Sequence, residues 1–367
     1  MPQTRGIRAE EQEALVAWLD DGLRRGQRGR LEAEYPVSLG TAGLAGHRIV
    51  CEGERFASHA MSWNITLCAR GSQLPAGLIG LVYTDPDFRG RGNAQACVRA
   101  CLEDLRASGA WIAALWSDLP EFYARLGFRP AGREIFLGVD PEACLEALTG
   151  LGVLPGVVTT GPPRPEDFEA LETLYGAHPV RAVRDPGALA QYAACAETDF
   201  LVARLAGRPV AYAALGRGDD FRGIIHDWAG SAEGVLACLE ALARPRGGAA
   251  WLIGPEPHPA AAALRALGAR LHTESFALLQ LLDAGRLWQR VVRDHPDLAT
   301  TALRQVEEGF AIRGALGEAA LTAEEALGLL FNDPPAAALE GALSPAQCGA
   351  LPDVLPWPLY LWGFDSI

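Results

Sequence analysis

The sequence predicts an α/β (α+β) protein with two mixed-sheet domains in tandem and a small C-terminal unit. Three observations carry this. Strand-like stretches at 47–53, 55–71 and 76–84 precede a helix at about 92–107 and a strand at 110–117, so antiparallel hairpins pass into a β-α-β order. The order strand, strand, strand, helix, strand, helix, strand returns between 200 and 283, a duplication of pattern rather than of identity. Between the two runs lies a stretch rich in Gly, Pro and Thr.

The elements follow in order. Residues 9–25 carry helical apolar spacing at Leu15, Trp18, Leu19 and Leu23. The helix at 92–107 sets Ala94, Cys97, Val98, Cys101, Leu102 and Leu105 on one side. After the strand at 110–117 come a short helix, "PEFYARLG" at 120–127, and a strand, "REIFLGVD" at 133–140. The first domain is therefore assigned to 1–145. A linker is expected at 146–163, where Pro162 and Pro163 (with Pro165 just beyond) interrupt regular structure. The second domain, 164–283, has two strands around the Gly207-Arg208 turn, then "RGIIHDWAG", helices at about 231–243 and 259–267, and a last strand at 274–283. The remainder, 284–367, offers a helix in "RLWQRVVRDH" and a strand pair in "GFAIRGALGEAALT". A helix at 322–331 follows, opened by the capping box of Thr322 and Glu325. It ends in the apolar tail "WPLYLWGFDSI".

Composition narrows the function. The chain has 367 residues, 49% hydrophobic, enough for two or three domains. A net charge of −13 argues against nucleic acid and anionic membrane as partners and suits a cationic substrate. There is no apolar run of membrane-spanning length and no leader-like start, so a cytoplasmic location is expected. The eight cysteines show no CxxC spacing and read as buried thiols, with no metal site.

The informative stretch is "DPDFRGRGNAQACVRACLEDLRASG", Asp85 to Gly109. A strand, a tight turn and a helix N-terminus form an anion site by backbone alone, because first-turn N–H groups lack partners and the helix dipole favours negative charge. Gly90 and Gly92 allow close approach, and Arg89 and Arg91 add positive charge.

The loop resembles the [QR]-x-x-G-x-[GA] motif of the GCN5-related N-acetyltransferase (GNAT) superfamily through Arg89, Gly92 and Ala94. "FYARLGF", from Phe122 to Phe128, resembles that family's fYxxlGF segment. The resemblance implies acetyl-CoA as co-substrate. Its pyrophosphate would lie on the amides of Arg89, Gly90, Arg91, Gly92, Asn93 and Ala94, and its pantetheine arm along the strand ending Val82-Tyr83-Thr84. It also implies Tyr123 as general acid. The tandem order is similar to the aminoglycoside acetyltransferases of the enhanced-intracellular-survival (Eis) type, whose third part is sterol-carrier-like. In that type the C-terminus folds back into the first active site, which makes a carboxylate at Ile367 a candidate base. The second domain has no Arg-x-x-Gly-x-Ala where its loop should be, so it is not expected to bind the coenzyme.

Other candidates are weaker. His59, on the strand at 55–71, is a replacement base or a packed histidine. Asp85 and Asp118, near strand ends, either cap or bind cations. His226 and Asp227 are neighbours on a strand, point to opposite faces, and read as structural. The expected function is acetyl transfer to a primary amine: a small amine, an aminoglycoside-like molecule or a lysine side chain. The alternative is a non-catalytic acyl-CoA-binding or scaffold protein. A homo-oligomer is compatible with the sequence.

Overall fold

The computed structural model describes residues 2–255 and 258–367. The first unit comprises α1 (Gln12–Leu23), α2 (Arg30–Glu34), β1 (His47–Glu52), β2 (Arg55–Ala69), β3 (Ser72–Thr84), α3 (Asn93–Ala107), β4 (Ile112–Leu115), α4 (Pro120–Ala124), β5 (Arg129–Ala131) and β6 (Glu134–Val139). Next come α5 (Pro141–Gly150), β7 (Val158–Gly161), α6 (Phe168–Gly176), β8 (Val180–Ala182) and α7 (Ala188–Ala193). The second run holds β9 (Asp199–Leu205), β10 (Arg208–Leu215), β11 (Ile224–Gly230), α8 (Ala232–Ala243), β12 (Ala250–Gly254), α9 (Pro259–Ala266), β13 (Leu271–Glu274) and β14 (Ala277–Leu281). The C-terminal part holds α10 (Ala284–Val291), β15 (Ala302–Val306), β16 (Gly309–Arg313), β17 (Glu318–Leu321), α11 (Ala323–Phe331), α12 (Ala336–Leu339) and α13 (Pro345–Val354).

Two seven-stranded mixed sheets form the body. The first runs β1-β2-β3-β4-β14-β5, with β8 beside β2; the second runs β13-β6-β12-β11-β10-β9-β7. A separate three-stranded sheet, β15-β16-β17, belongs to the C-terminal part. The two large sheets exchange strands. β6, from the first run, pairs with β12 and β13, while β14, from the second, lies between β4 and β5. The sheets therefore do not follow a boundary at 145. Hydrophobic alternation marks a strand but not its partner, so the exchange carries no local signature.

The expected linker also differs. Asp140 caps α5, accepting from the Ala143 N–H at 2.9 Å with Pro141 at the first helical position. β7 is an edge strand that stops at Gly161, so Pro162 and Pro163 end it rather than prevent it. The C-terminal sheet has three strands, not two, because β15 precedes the expected pair. The Thr322–Glu325 capping box forms as expected. Among the described residues, no helix is long and apolar enough to cross a membrane.

α3 positions the site. Its Cys97, Val98, Cys101, Leu102 and Leu105 are buried against the first sheet, each large side chain contributing roughly 1.5–3 kcal/mol. The fit is tight at Gly77, where a Cβ would stand 2.3 Å from a Leu105 methyl.

Candidate active site

β3 pairs with β4 only across Ala76–Leu78, opposite Ile112–Ala114. On its other edge β3 stays paired with β2 as far as Thr84, with a register shift between His59 and Met61. Leu81 takes φ 51° at this bulge. Among the described residues, from Ile79 onward the edge of β3 that faced β4 has no strand partner, so it is open to an extended ligand.

His59 holds the bulge. Its Nδ1 lies 2.7 Å from the Leu81 carbonyl and its Nε2 lies 2.8 Å from His47 Nδ1. A carbonyl can only accept, so His59 Nδ1 carries the proton and Nε2 accepts from His47. Burial pushes the His59 imidazole down to about 3. Both its nitrogens are committed, so His59 is a structural residue and not the base.

The next feature is the start of α3. Gly90 and Gly92 have φ of 75° and 78°, and Gly92 is the N-cap with no capping side chain. Among the described residues, no acceptor meets the N–H groups of Gly90, Arg91, Gly92, Asn93, Ala94 or Gln95. A Cβ at Gly90 or Gly92 would meet nothing within 4 Å, so the approach is open. Asn93 locks the loop by donating to the Phe88 carbonyl at 3.3 Å. Arg89 Nε donates to the Thr84 carbonyl at 3.3 Å, and the Arg91 guanidinium stands over the Phe88 ring. An open set of amides at a helix N-terminus fits a pyrophosphate. Among the described residues, the start of α8 in the second run has no such opening. Ser231 caps α8, and a Cβ at Gly230 would fall 2.2 Å from the Val210 carbonyl oxygen.

A cavity of about 570 Å³ lies between the two sheets. Gly80, Leu81 and Val82 line it from β3, Trp116, Ser117 and Asp118 from the segment after β4, and Tyr123 from α4. Glu134, Phe136 and Ile253 line it from the second sheet. Burial raises the Tyr123 hydroxyl to about 12, with the Ser117 hydroxyl working against the rise, so it stands protonated as a donor. Tyr83 does not reach the cavity: its ring packs against Trp18, and a Cβ on Gly22 would overlap it. Asp85 caps the turn at Pro86–Phe88 and pairs with Arg55, while Asp118 faces the cavity.

The apolar tail completes the cavity. Apart from one turn at Gly363–Asp365 it has no regular structure, yet Trp357, Tyr360, Leu361, Trp362 and Phe364 are buried. Polar bonds hold it along its length. Tyr360 donates to Glu134 at 2.9 Å and Trp362 to the Val180 carbonyl at 3.1 Å. Asp365 accepts from Arg184 Nε at 2.7 Å and from Tyr175 at 2.9 Å, while Arg184 Nη2 pairs with Asp227. Arg217 Nη1 donates to the Gly363 carbonyl at 2.8 Å, and its Nε donates to the Glu34 carbonyl at 2.8 Å. Ile367 ends against β3: a Cβ at Gly80 would lie 2.4 Å from the Ile367 carbonyl oxygen. His226 and Asp227 are both buried and engaged, His226 with the Gly216 carbonyl and Asp227 with Arg184 and Tyr212.

Val82, Tyr123 and Ile367 thus meet on one cavity. Arg89–Ala94 lie off it, following the far end of the free β3 edge. Glu134 and Arg217 were not among the residues the sequence pointed to. Arg217 lies 146 residues from the carbonyl it holds, and no local pattern marks it.

Residues 41–131, which span the bulged β3, the open start of α3 and Tyr123, match the model of the acetyltransferase (GNAT) domain. The chain carries a GNAT domain. Three solved structures share the fold over 100% of both chains. They are GCN5-related N-acetyltransferases from Anabaena variabilis (15% identity, TM-score 0.69) and Kribbella flavida (18%, 0.65), and Eis1 from Mycobacterium abscessus (15%, 0.61). No curated protein matches the chain by sequence. The GNAT match ends at Ala131, before β6, so the second sheet and the tail lie outside it.

Proposed function

We propose that the protein is an N-acetyltransferase that moves an acetyl group from acetyl-CoA to a small primary amine. The observation that carries this is the run of unpartnered amides at Gly90–Gln95, joined by the free edge of β3 to a cavity containing a protonated tyrosine. These amides would hold the pyrophosphate, and the free edge at Val82, Tyr83 and Thr84 the pantetheine arm. When bound, acetyl-CoA supplies the thioester that an amine can attack.

The residues then have separate duties. An attacking nitrogen must be neutral, and at neutral pH an alkylamine is mostly protonated, so a base must take one proton. A carboxylate at Ile367, present where the chain ends at that residue, stands against Gly80 and is the proposed base. Tyr123 Oη is the proposed proton donor to the departing sulfur. The tail and the second sheet screen the cavity and hold the amine near β3, which supplies much of the acceleration through orientation.

The test is release of free thiol from acetyl-CoA with a panel of small primary amines, with the product mass measured. Saturable release and an N-acetylated amine are expected. Coenzyme binding without thiol release for any amine would favour the scaffold reading instead.

A further inference from the structure

Glu134 opens β6 and lines the cavity from the second sheet, across from β3. It is 8% exposed. Its Oε1 accepts from Tyr360 Oη at 2.9 Å, and among the described residues no arginine, lysine or histidine forms an ion pair with it. Asp220, an exposed acid on the rim of the same cavity, differs in having a counter-ion: it pairs with Arg24 at 2.6 Å and accepts from Tyr35. Burial raises the Glu134 carboxyl to about 7, Glu274 adds to the rise, and the Tyr360 hydroxyl opposes it. Glu134 is thus a buried carboxylate that faces a cavity and lacks a counter-ion. Such a group favours any cation that can enter.

Which cation follows from the chemistry of the site. The nitrogen that attacks must give up a proton, the duty proposed for the Ile367 carboxylate against Gly80, so a nitrogen held instead at Glu134 is not the reacting one. The reacting nitrogen belongs near Gly80–Val82 and Tyr123, on the first unit's side. Glu134 stands on the second sheet. Phe136 is two residues along the same strand and shares its face, and Ile253 pairs beside Phe136. An apolar path therefore leads away from the carboxylate within the cavity.

We propose that Glu134, steadied by Tyr360, is a specificity-determining residue that binds a second, non-reacting ammonium group, so that the site takes diamines in preference to monoamines of equal length. This rests on the reading of the cavity as the acceptor site. The path of Phe136 and Ile253 carries the carbon skeleton, and the net charge of −13 draws dications more than monocations.

The experiment is a calorimetric titration of the full chain, with coenzyme A present, using 1,5-diaminopentane and 1-aminopentane at a pH above about 7, where Glu134 is ionised. The diamine should bind at least roughly tenfold more tightly, and in Glu134→Gln the ratio of the two affinities should fall to near one. Gln keeps an oxygen for Tyr360, so the fold should persist, and an unchanged melting midpoint checks this. Tyr360→Phe, which frees the carboxylate to move, should give an intermediate ratio. No preference in the wild-type chain, or a ratio unaffected by Glu134→Gln, would overturn the proposal. So would a Glu134→Gln variant that acetylates both amines slowly and has lost the acid limb of its pH–rate profile, since that marks Glu134 as the base. Binding is read without turnover. A diamine preference with no acetylated product would therefore support the role of Glu134 and refute only the proposed transferase activity.

Discussion

Adding one methyl group at Gly80 should separate the tail from the rest of the site. The three atoms nearest to a Cβ there all belong to Ile367: its carbonyl oxygen at 2.4 Å, its carbonyl carbon at 2.8 Å and its Cγ1 at 2.9 Å. Comfortable carbon contacts lie at about 3.5–4.0 Å, so the tail must retreat by about 1 Å. Overpacking of this kind costs typically 1–3 kcal/mol, a factor of roughly 5 to 150 in the population of seated tails. A base 1 Å out of place is a poor one, so Gly80→Ala should lower kcat for amine acetylation by at least about tenfold. The KM for acetyl-CoA should change by less than about twofold, because α3 is untouched. Steady-state thiol release measures both. The decisive control repeats Gly80→Ala in a chain ending at Asp365. With the clash partner gone, the methyl should add nothing to the loss caused by truncation. Full activity of the Gly80→Ala chain, or penalties that simply add, would refute the reasoning.

Two further outcomes are expected. Tyr123→Phe should lower kcat by roughly 100- to 10,000-fold with coenzyme affinity kept, because only the hydroxyl is lost; an unaltered kcat in single-turnover measurements would remove Tyr123 from the chemistry. Acid should destabilise the fold well before the paired carboxylates titrate. Burial lowers His47, His178 and His226 to about 4 and His59 to about 3. Each folded value lies below the ordinary 6.5, so this stabilisation is complete above about pH 6.5 and is lost as pH falls toward 4. Glu134, raised to about 7, runs the other way and offsets about one of the four protons in that window. Unfolding free energies from urea titrations at about pH 7 and pH 5 should differ by roughly several kcal/mol, and equal values would show that these histidines titrate freely in the folded chain.

What could be read from the sequence was local. The α3 stripe, the Gly90–Gly92 turn, the Thr322 capping box and the helix bearing Tyr123 each depend on residues within one or two turns of one another. Their geometry follows from spacing and turn chemistry. α5 was also within reach: Asp140 followed by Pro141 is a helix-start signal, obscured by the prolines further on. β7 was not, since an edge strand of four residues owes its form to its neighbour. The exchange of β6 and β14 lay beyond reach because pairing is decided by which sheet buries a strand. The site divides in the same way. The phosphate-facing turn is one segment of chain, but Glu134 meets Tyr360 across 226 residues and Arg217 meets Glu34 across 183. The tail's apolar composition foretold its burial, while its path depends on these distant partners.

The central claim is that the open start of α3 is the one coenzyme site of the chain. Calorimetric titration with acetyl-CoA tests it, using the wild-type protein and Gly92→Val. Gly92 has φ 78° with open space where a Cβ would stand, so valine would both strain the turn and fill the volume that a pyrophosphate needs. One coenzyme per wild-type chain is expected, and no measurable binding by a Gly92→Val chain with an unchanged circular dichroism spectrum. Two coenzymes per chain, or an unchanged affinity in Gly92→Val, would contradict it.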